Sequence, residues 1–96
     1  MAKLEIEEEE KFVDLAYDLG CKAIKFIDPG SRNAPDRIVF CLNGRTIFFE
    51  FKVKDATSRR GQELYQSGLR RMGFEVYEVV SAKEAIDILK VFLCAS

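Results

Sequence analysis

The stretch "APDRIVFCLNGRTIFFEFKVK", residues 34 to 54, constrains the fold more than any other. Two apolar runs flank Asn43-Gly44, a dipeptide that supplies the left-handed backbone a tight hairpin requires. The first run, "IVFCL", is apolar at successive positions, so both faces of its strand need cover, as in a sheet held between helices. The second run, 46 to 53, sets Glu50 and Lys52 among Ile47, Phe48, Phe49, Phe51 and Val53. Two charges in so apolar a strand need partners.

The rest of the chain supplies the cover. Phe12, Val13, Ala16, Tyr17 and Leu19 recur at helical spacing over 6 to 19, and Gly20 is a stop signal. "CKAIKFI" (21 to 27) reads as a strand and "DPGSRNAP" (28 to 35) as a loop ending on Asp36. The hairpin strands span 36 to 42 and 46 to 53. "DATS" (55 to 58) can cap a helix over 59 to 72 closed by Gly73, and "FEVYEVV" follows as a strand. "SAKE" (81 to 84) fits a capping box, and Ala85, Ile88, Leu89 and Phe92 form the buried stripe of a last helix. The helix at 59 to 72 is long enough to return strand 74 to 80 parallel to strand 46 to 53. The expected fold is a single α/β sandwich over residues 1 to 96, ordered helix, three-strand meander, helix, strand, helix.

A chain of 96 residues, 48% of them hydrophobic, buries enough surface to fold without a disulfide or metal staple. Three cysteines, an odd number with no Cys-x-x-Cys spacing, and no histidine argue against a zinc site and against a disulfide framework, and exclude Ser-His and Cys-His catalysis. Cys21, Cys41 and Cys94 all have apolar neighbours and are expected as reduced core residues. Without a signal-peptide pattern or a membrane-length apolar run, the expected location is cytoplasmic, with no membrane partner. The net charge of −1 hides an uneven distribution: Glu5 and Glu7 to Glu10 crowd the N-terminus, while Lys52, Lys54, Arg59, Arg60, Arg70 and Arg71 face only Asp55 and Glu63 in segment 52 to 71. The latter offers a polyanion a basic surface.

Side chains two apart on a strand share a face, so Glu50 and Lys52 are neighbours while Phe49, Phe51 and Val53 point away. A two-residue turn at Asn43-Gly44 would set Arg37 opposite Glu50 and Asp36 on the wrong face. A three-residue loop, Leu42-Asn43-Gly44 with Gly44 left-handed, sets Asp36 opposite Glu50, and the chemistry favours it. Asp36, Glu50 and Lys52 then supply two carboxylates and an ammonium, the groups a Mg²⁺- or Mn²⁺-dependent phosphodiesterase needs without histidine. The competing reading is a same-face ion pair on a partly solvated strand.

"PD" at 35 to 36 and "EFK" at 50 to 52 resemble the bipartite signature of the PD-(D/E)XK nuclease superfamily. "KFIDPGSRNAPDRIVF", "FFEFKVK", Gln62 and "GFEVYEVVSAKEAID" together look like the VRR-NUC (virus-type replication-repair nuclease) domain, in its small stand-alone phage and prophage form. The resemblance implies a restriction-endonuclease-like αβββαβ core with a mixed central sheet and an extra C-terminal helix. It also implies a Mg²⁺- or Mn²⁺-dependent DNA endonuclease, homodimeric, acting on branched DNA of the Holliday-junction type, working in a bacterial host and needing no nucleotide cofactor. Two departures stand out: Asn33 replaces the family's usual glycine, and "RRG" (59 to 61) precedes Gln62 where Ser-Pro is usual.

By the same resemblance the catalytic set is Asp36, Glu50, Lys52, Gln62 and a first-helix glutamate. Glu9 is the first choice for that glutamate because it precedes Phe12, Val13 and Ala16 at helical spacing, with Glu8 and Glu10 as alternatives. The metal set is Asp36, Glu50, the backbone carbonyl of Phe51 and Glu9. Gln62 shares a stripe with Tyr65, Leu69 and Met72 that should face the sheet. Arg32, Lys54, Arg59 and Arg60 flank the site and are the expected DNA contacts, with Lys25 and Arg37 ranked below them. Ile86, Val91 and Leu93 lie outside the last helix's stripe and could meet a second subunit. Rival readings are a DNA-binding module without catalysis and a plain interaction domain.

Overall fold

The computed structural model describes residues 2–95. Helix α1 (Ala2–Asp18) leads into strands β1 (Lys22–Lys25), β2 (Arg37–Phe40) and β3 (Thr46–Phe51). Helix α2 (Arg60–Arg71), strand β4 (Glu75–Val79) and helix α3 (Ala82–Cys94) follow. The strands lie side by side in chain order, the first three antiparallel and β4 parallel to β3. That is the restriction-endonuclease-like αβββαβ arrangement with its added C-terminal helix.

The two faces of the sheet are covered differently. Val39, Ile47, Phe49, Phe51 and Val79 pack with Phe12 and Ala16 of α1 and with Ala85, Leu89 and Phe92 of α3. The Phe12 ring centroid lies 5.0 Å from that of Phe49 and 5.7 Å from that of Phe51. Each such fully buried phenylalanine contributes roughly 1.5–3 kcal/mol by leaving water. On the other face Phe48 and Val76 meet Leu69 of α2, with Phe26, Ile38 and Tyr65 partly buried around them.

The hairpin takes the three-residue loop. Arg37 pairs with Phe49 and Phe40 with Thr46, and Cys41 N donates to Arg45 O at 2.8 Å, leaving Leu42, Asn43 and Gly44 as the loop. Both Asn43 (φ 66°) and Gly44 (φ 74°) are left-handed, whereas the sequence argument needed only Gly44 to be so. One step beyond the paired residues, this register sets Asp36 across from Glu50.

Several expectations are corrected. Tyr17 is exposed, because it is displaced about 140° around α1 from Phe12, the centre of the buried stripe. Met72 is exposed because α2 has ended at Arg71 and the chain is already turning into left-handed Gly73. Phe40 and Leu42 are exposed, so the "IVFCL" run is covered on both faces only at its start. Cys94, at the end of α3, is exposed and not a core residue. Ile86 is buried, and Leu93 packs partly against the core, because α3 lies against both the sheet and α1 and needs a wider apolar face than one stripe.

The helix starts also differ from expectation. "DATS" does not cap α2; Arg59 is its N-cap residue, and Gln62 Oε1 accepts from the Arg59 backbone N–H at 3.2 Å. At α3, Ser81 Oγ accepts from Glu84 N at 3.1 Å, but Glu84 Oε1 reaches back to Val80 N at 2.8 Å instead of to Ser81. Glu8 of α1 accepts from Ala82 N at 2.8 Å and occupies the same helix N-terminus.

Candidate active site

Strand alternation and the hairpin register bring Glu50 of β3, Lys52 just beyond it and Asp36, the residue preceding β2, to one end of the sheet, on the α2 face. Asp36 Oδ2 accepts from the Phe51 backbone N–H at 2.8 Å. That amide is free for it because β2 pairing has ended; the Phe51 carbonyl points to the same side, as N–H and C=O of one extended residue do. Lys52 N, by contrast, faces β4 and donates to Val79 O at 2.8 Å.

Glu50 is 6% exposed, and its neighbours satisfy it. Lys52 Nζ lies 3.5 Å from Glu50 Oε2, and Gln62 Nε2 donates to the same oxygen at 3.2 Å. Gln62 Oε1 accepts from Lys52 Nζ at 2.6 Å. With the Arg59 backbone bond, Gln62 links Glu50, Lys52 and the first turn of α2. Among the described residues no buried side-chain nitrogen or oxygen lacks a partner.

The carboxyls crowd one another. Burial first, then Asp36, pushes Glu50 up to about 7 against the opposing pull of Lys52. Asp36 is also raised by burial, although the Phe51 N–H and Lys52 oppose the rise. Two carboxyls that crowd and desolvate one another in this way hold their protons more tightly than usual and would be relieved by a cation between them.

Glu9 lies at the margin. Its carboxyl is raised by burial and by the charge of Asp36, but its Oε1 accepts from Arg37 Nε at 2.9 Å in a largely buried ion pair. Of the alternatives, Glu8 is engaged at Ala82 N and Glu10 is exposed. Among the described residues no group of three or more His, Cys, Asp or Glu is arranged to hold a metal ion. The oxygen donors that the register brings to this end of the sheet are the carboxylates of Asp36 and Glu50, with the Phe51 carbonyl directed to the β2 side. That hard oxygen set fits a cation such as Mg²⁺, which keeps several waters and takes few protein ligands.

The expected DNA contacts divide into two places. Arg32 and Arg59 are exposed and line one groove of about 740 Å³ with Asp28, Ser31 and Asn33. Lys54 lines a separate groove of about 360 Å³ beside Lys52, with Glu5 and Glu8 opposite. Arg60 is exposed at the start of α2.

Some of what positions this site was not anticipated. Glu78 lies beside Glu50 in the parallel register, accepts from Gln66 Nε2 at 3.0 Å and from the Ser58 hydroxyl, and adds to the upward pressure on Glu50. The available signal was Gln66, one helical turn after Gln62. Arg37, ranked low as a DNA contact, is a buried partner for Glu9. The 28 to 35 loop is fastened to α2 by Tyr65 Oη donating to Asp28 Oδ2 at 2.9 Å. It is also fastened by Asn33, whose amide sits so close over Gly61 that an added Cβ would lie 2.6 Å from Nδ2. The chain's two departures from the family pattern are therefore in contact.

Comparison with known proteins bears on the fold and on the chain's relatives. A phage protein described as "Putative nuclease p44", from Acyrthosiphon pisum secondary endosymbiont phage 1, is 32% identical over 81 residues, covering 84% of this chain and 86% of its own length. The chain belongs to the same family as this phage protein. A solved structure described as "VRR_NUC domain" has the same fold, with a TM-score of 0.81 at 23% identity, over 90% of this chain and 94% of its own. The scan against family models returned no match. Among the described residues no helix is long and apolar enough to cross a membrane.

Proposed function

We propose that this VRR-NUC domain is a DNA endonuclease that hydrolyses phosphodiester bonds with Mg²⁺ or Mn²⁺. The observation that carries the reading is the β2–β3 register, in which Asp36 and Glu50 share one end and one face of the sheet with Lys52. When bound, a divalent cation supplies a Lewis acid and a water acidic enough to be a nucleophile near neutral pH.

The chain's own residues divide the remaining work. Asp36, Glu50 and the Phe51 carbonyl are the cation's ligands, and Glu9 is an auxiliary carboxylate whose reach is set by its pairing with Arg37. Lys52, its ammonium held by Gln62, orients the attacking water or the scissile phosphate and stabilises charge that develops there. Arg32, Lys54, Arg59 and Arg60 neutralise flanking phosphates, a contact type that carries affinity without base readout. Homodimers acting on branched DNA are the family-level expectation, since two such sites suit paired cuts. Exposed Val91 on α3 is a candidate for the dimer contact.

The test is purified protein with Mg²⁺ against linear, flapped and four-way DNA, with EDTA controls and a sizing measurement. Cutting that needs the metal and disappears in Glu50→Ala and Lys52→Ala, with DNA binding retained, is the expected result. Binding without cutting in the wild type would point instead to a DNA-binding module. Absence of any salt-dependent DNA affinity would sink both readings.

A further inference from the structure

Cys21 and Cys41 lie at the end of the sheet away from Asp36 and Glu50. The β1–β2 register pairs Lys22 with Phe40, and one step outward it sets Cys21 directly across from Cys41. The hydrogen-bonding parity of that position is fixed too. Asp36 O accepts from Phe26 N on the β1 side at 3.0 Å, whereas Cys41 N donates to Arg45 O on the β3 side at 2.8 Å. Backbone polar groups alternate direction along a strand, so Asp36, Ile38 and Phe40 address β1 while Arg37, Val39 and Cys41 address β3.

Cys21 and Cys41 are thus a non-hydrogen-bonded cross-strand pair, the kind whose Cα atoms stand about 4.5 Å apart. A disulfide requires roughly 4.4–6.8 Å. Both side chains enter the same core cluster, so their Cβ atoms leave the sheet on one face. The Cys41 thiol is pushed up to about 12, by burial first and then by the Cys21 thiol beside it, which identifies the two sulfurs as neighbours. Both residues also line a surface groove of about 700 Å³ with Tyr17, Lys22, Phe40 and Leu42, which gives a small reagent a route to them.

We propose that Cys21 and Cys41 form a site of reversible disulfide modification, closed by hydrogen peroxide and opened by thiols. In the first step the Cys21 thiolate attacks the peroxide; the O–O bond breaks, hydroxide leaves, and Cys21 becomes a sulfenic acid. In the second, the Cys41 sulfur attacks the Cys21 sulfur; the S–O bond breaks, and the hydroxyl leaves with the Cys41 proton as water. The two thiols lose two electrons in all, and the peroxide is reduced to two waters.

The cross-link encloses 22 to 40, the segment that carries the 28 to 35 loop and delivers Asp36 to the site. Closing it removes chain entropy from the unfolded state and ties edge strand β1 to β2. This inference is independent of the nuclease reading.

The test uses the Cys94→Ser protein, because Cys94 is exposed and would form intermolecular bridges. After peroxide treatment and quenching, the expected results are a mass lower by two hydrogens and a Cys21–Cys41-linked peptide without reduction. Two thiols should be lost from a titration under denaturing conditions, with reversal by dithiothreitol and a Tm higher by at least about 5 °C. Cys21→Ser and Cys41→Ser in the same background should each abolish the linked peptide. Two thiols still titratable after treatment, oxidation to sulfinic acid without a linked peptide, or linkage only under denaturing conditions would each overturn the proposal.

Discussion

Replacing Glu50 by glutamine keeps the side chain's shape and removes a charge the fold resists. The residue is 6% exposed, and its carboxyl is raised from 4.5 to about 7, chiefly by burial and then by Asp36. Between those values the native state binds a proton that the unfolded chain has released, so stability falls as pH rises through the window and is level above it. At about 1.4 kcal/mol per pH unit the span corresponds to about 3 kcal/mol. That is a large share of the roughly 5–15 kcal/mol that holds a small domain together.

Glutamine has no such dependence, and its amide can still accept from Lys52 and Gln62. In EDTA, urea unfolding should show the wild type losing stability between pH 5 and pH 8, and Glu50→Gln exceeding it at pH 8 by about 1 to 3 kcal/mol. Asp36 and Glu9 are raised in the same direction and contribute to both proteins, so the difference between the curves reports Glu50 together with its coupling to Asp36. Mg²⁺ should raise the wild-type midpoint more at pH 8 than at pH 5, and that of Glu50→Gln little. Parallel curves, or a variant less stable than the wild type at pH 8, would refute the idea that the site holds crowded, desolvated carboxyls.

Lys52→Met should lower cleavage by about 10²–10⁴-fold while DNA binding measured in Ca²⁺ is retained; a merely structural lysine would leave the rate of the folded protein unchanged. Gln62→Ala leaves Lys52 Nζ and the Arg59 N–H without their acceptor and should cost about 1 kcal/mol in urea unfolding, with kcat falling more than KM rises. Gly61→Ala should destabilise the wild type but stabilise an Asn33→Ala background by about 0.5–1 kcal/mol, since the three atoms nearest the new Cβ all belong to Asn33; the same sign in both backgrounds would refute that contact. Arg32→Ala and Arg59→Ala should each weaken DNA affinity similarly for all sequences and reduce the slope of log K against log salt by about 1.

The parts of the fold legible beforehand were those with local causes. The hairpin was readable because Asn43-Gly44 separates two apolar runs, and its register could be reduced to two choices because a slip of one residue moves Asp36 to the opposite face. The boundaries of α2 were less legible. Its start is set by Gln62 reaching back to Arg59 while also holding Lys52 and Glu50, a bond network that exists only once α2 lies on the sheet. The exposure of Met72 and the burial of Ile86 escaped for a related reason: helical period places residues on a face, but what lies against that face decides its width.

Sequence alone determined that one apolar hairpin carries Asp36, Glu50 and Lys52, because strand alternation and loop length are properties of neighbouring residues. Tertiary packing decided the protonation balance of the site and the identity of its supports. Glu50 rises toward neutrality because α2 and β4 exclude water and because Asp36, and then Glu78, crowd its charge; Glu9 turns to Arg37 because α1 crosses the opposite face. Desolvation and charge act through space, across separations in the chain that a local pattern does not encode.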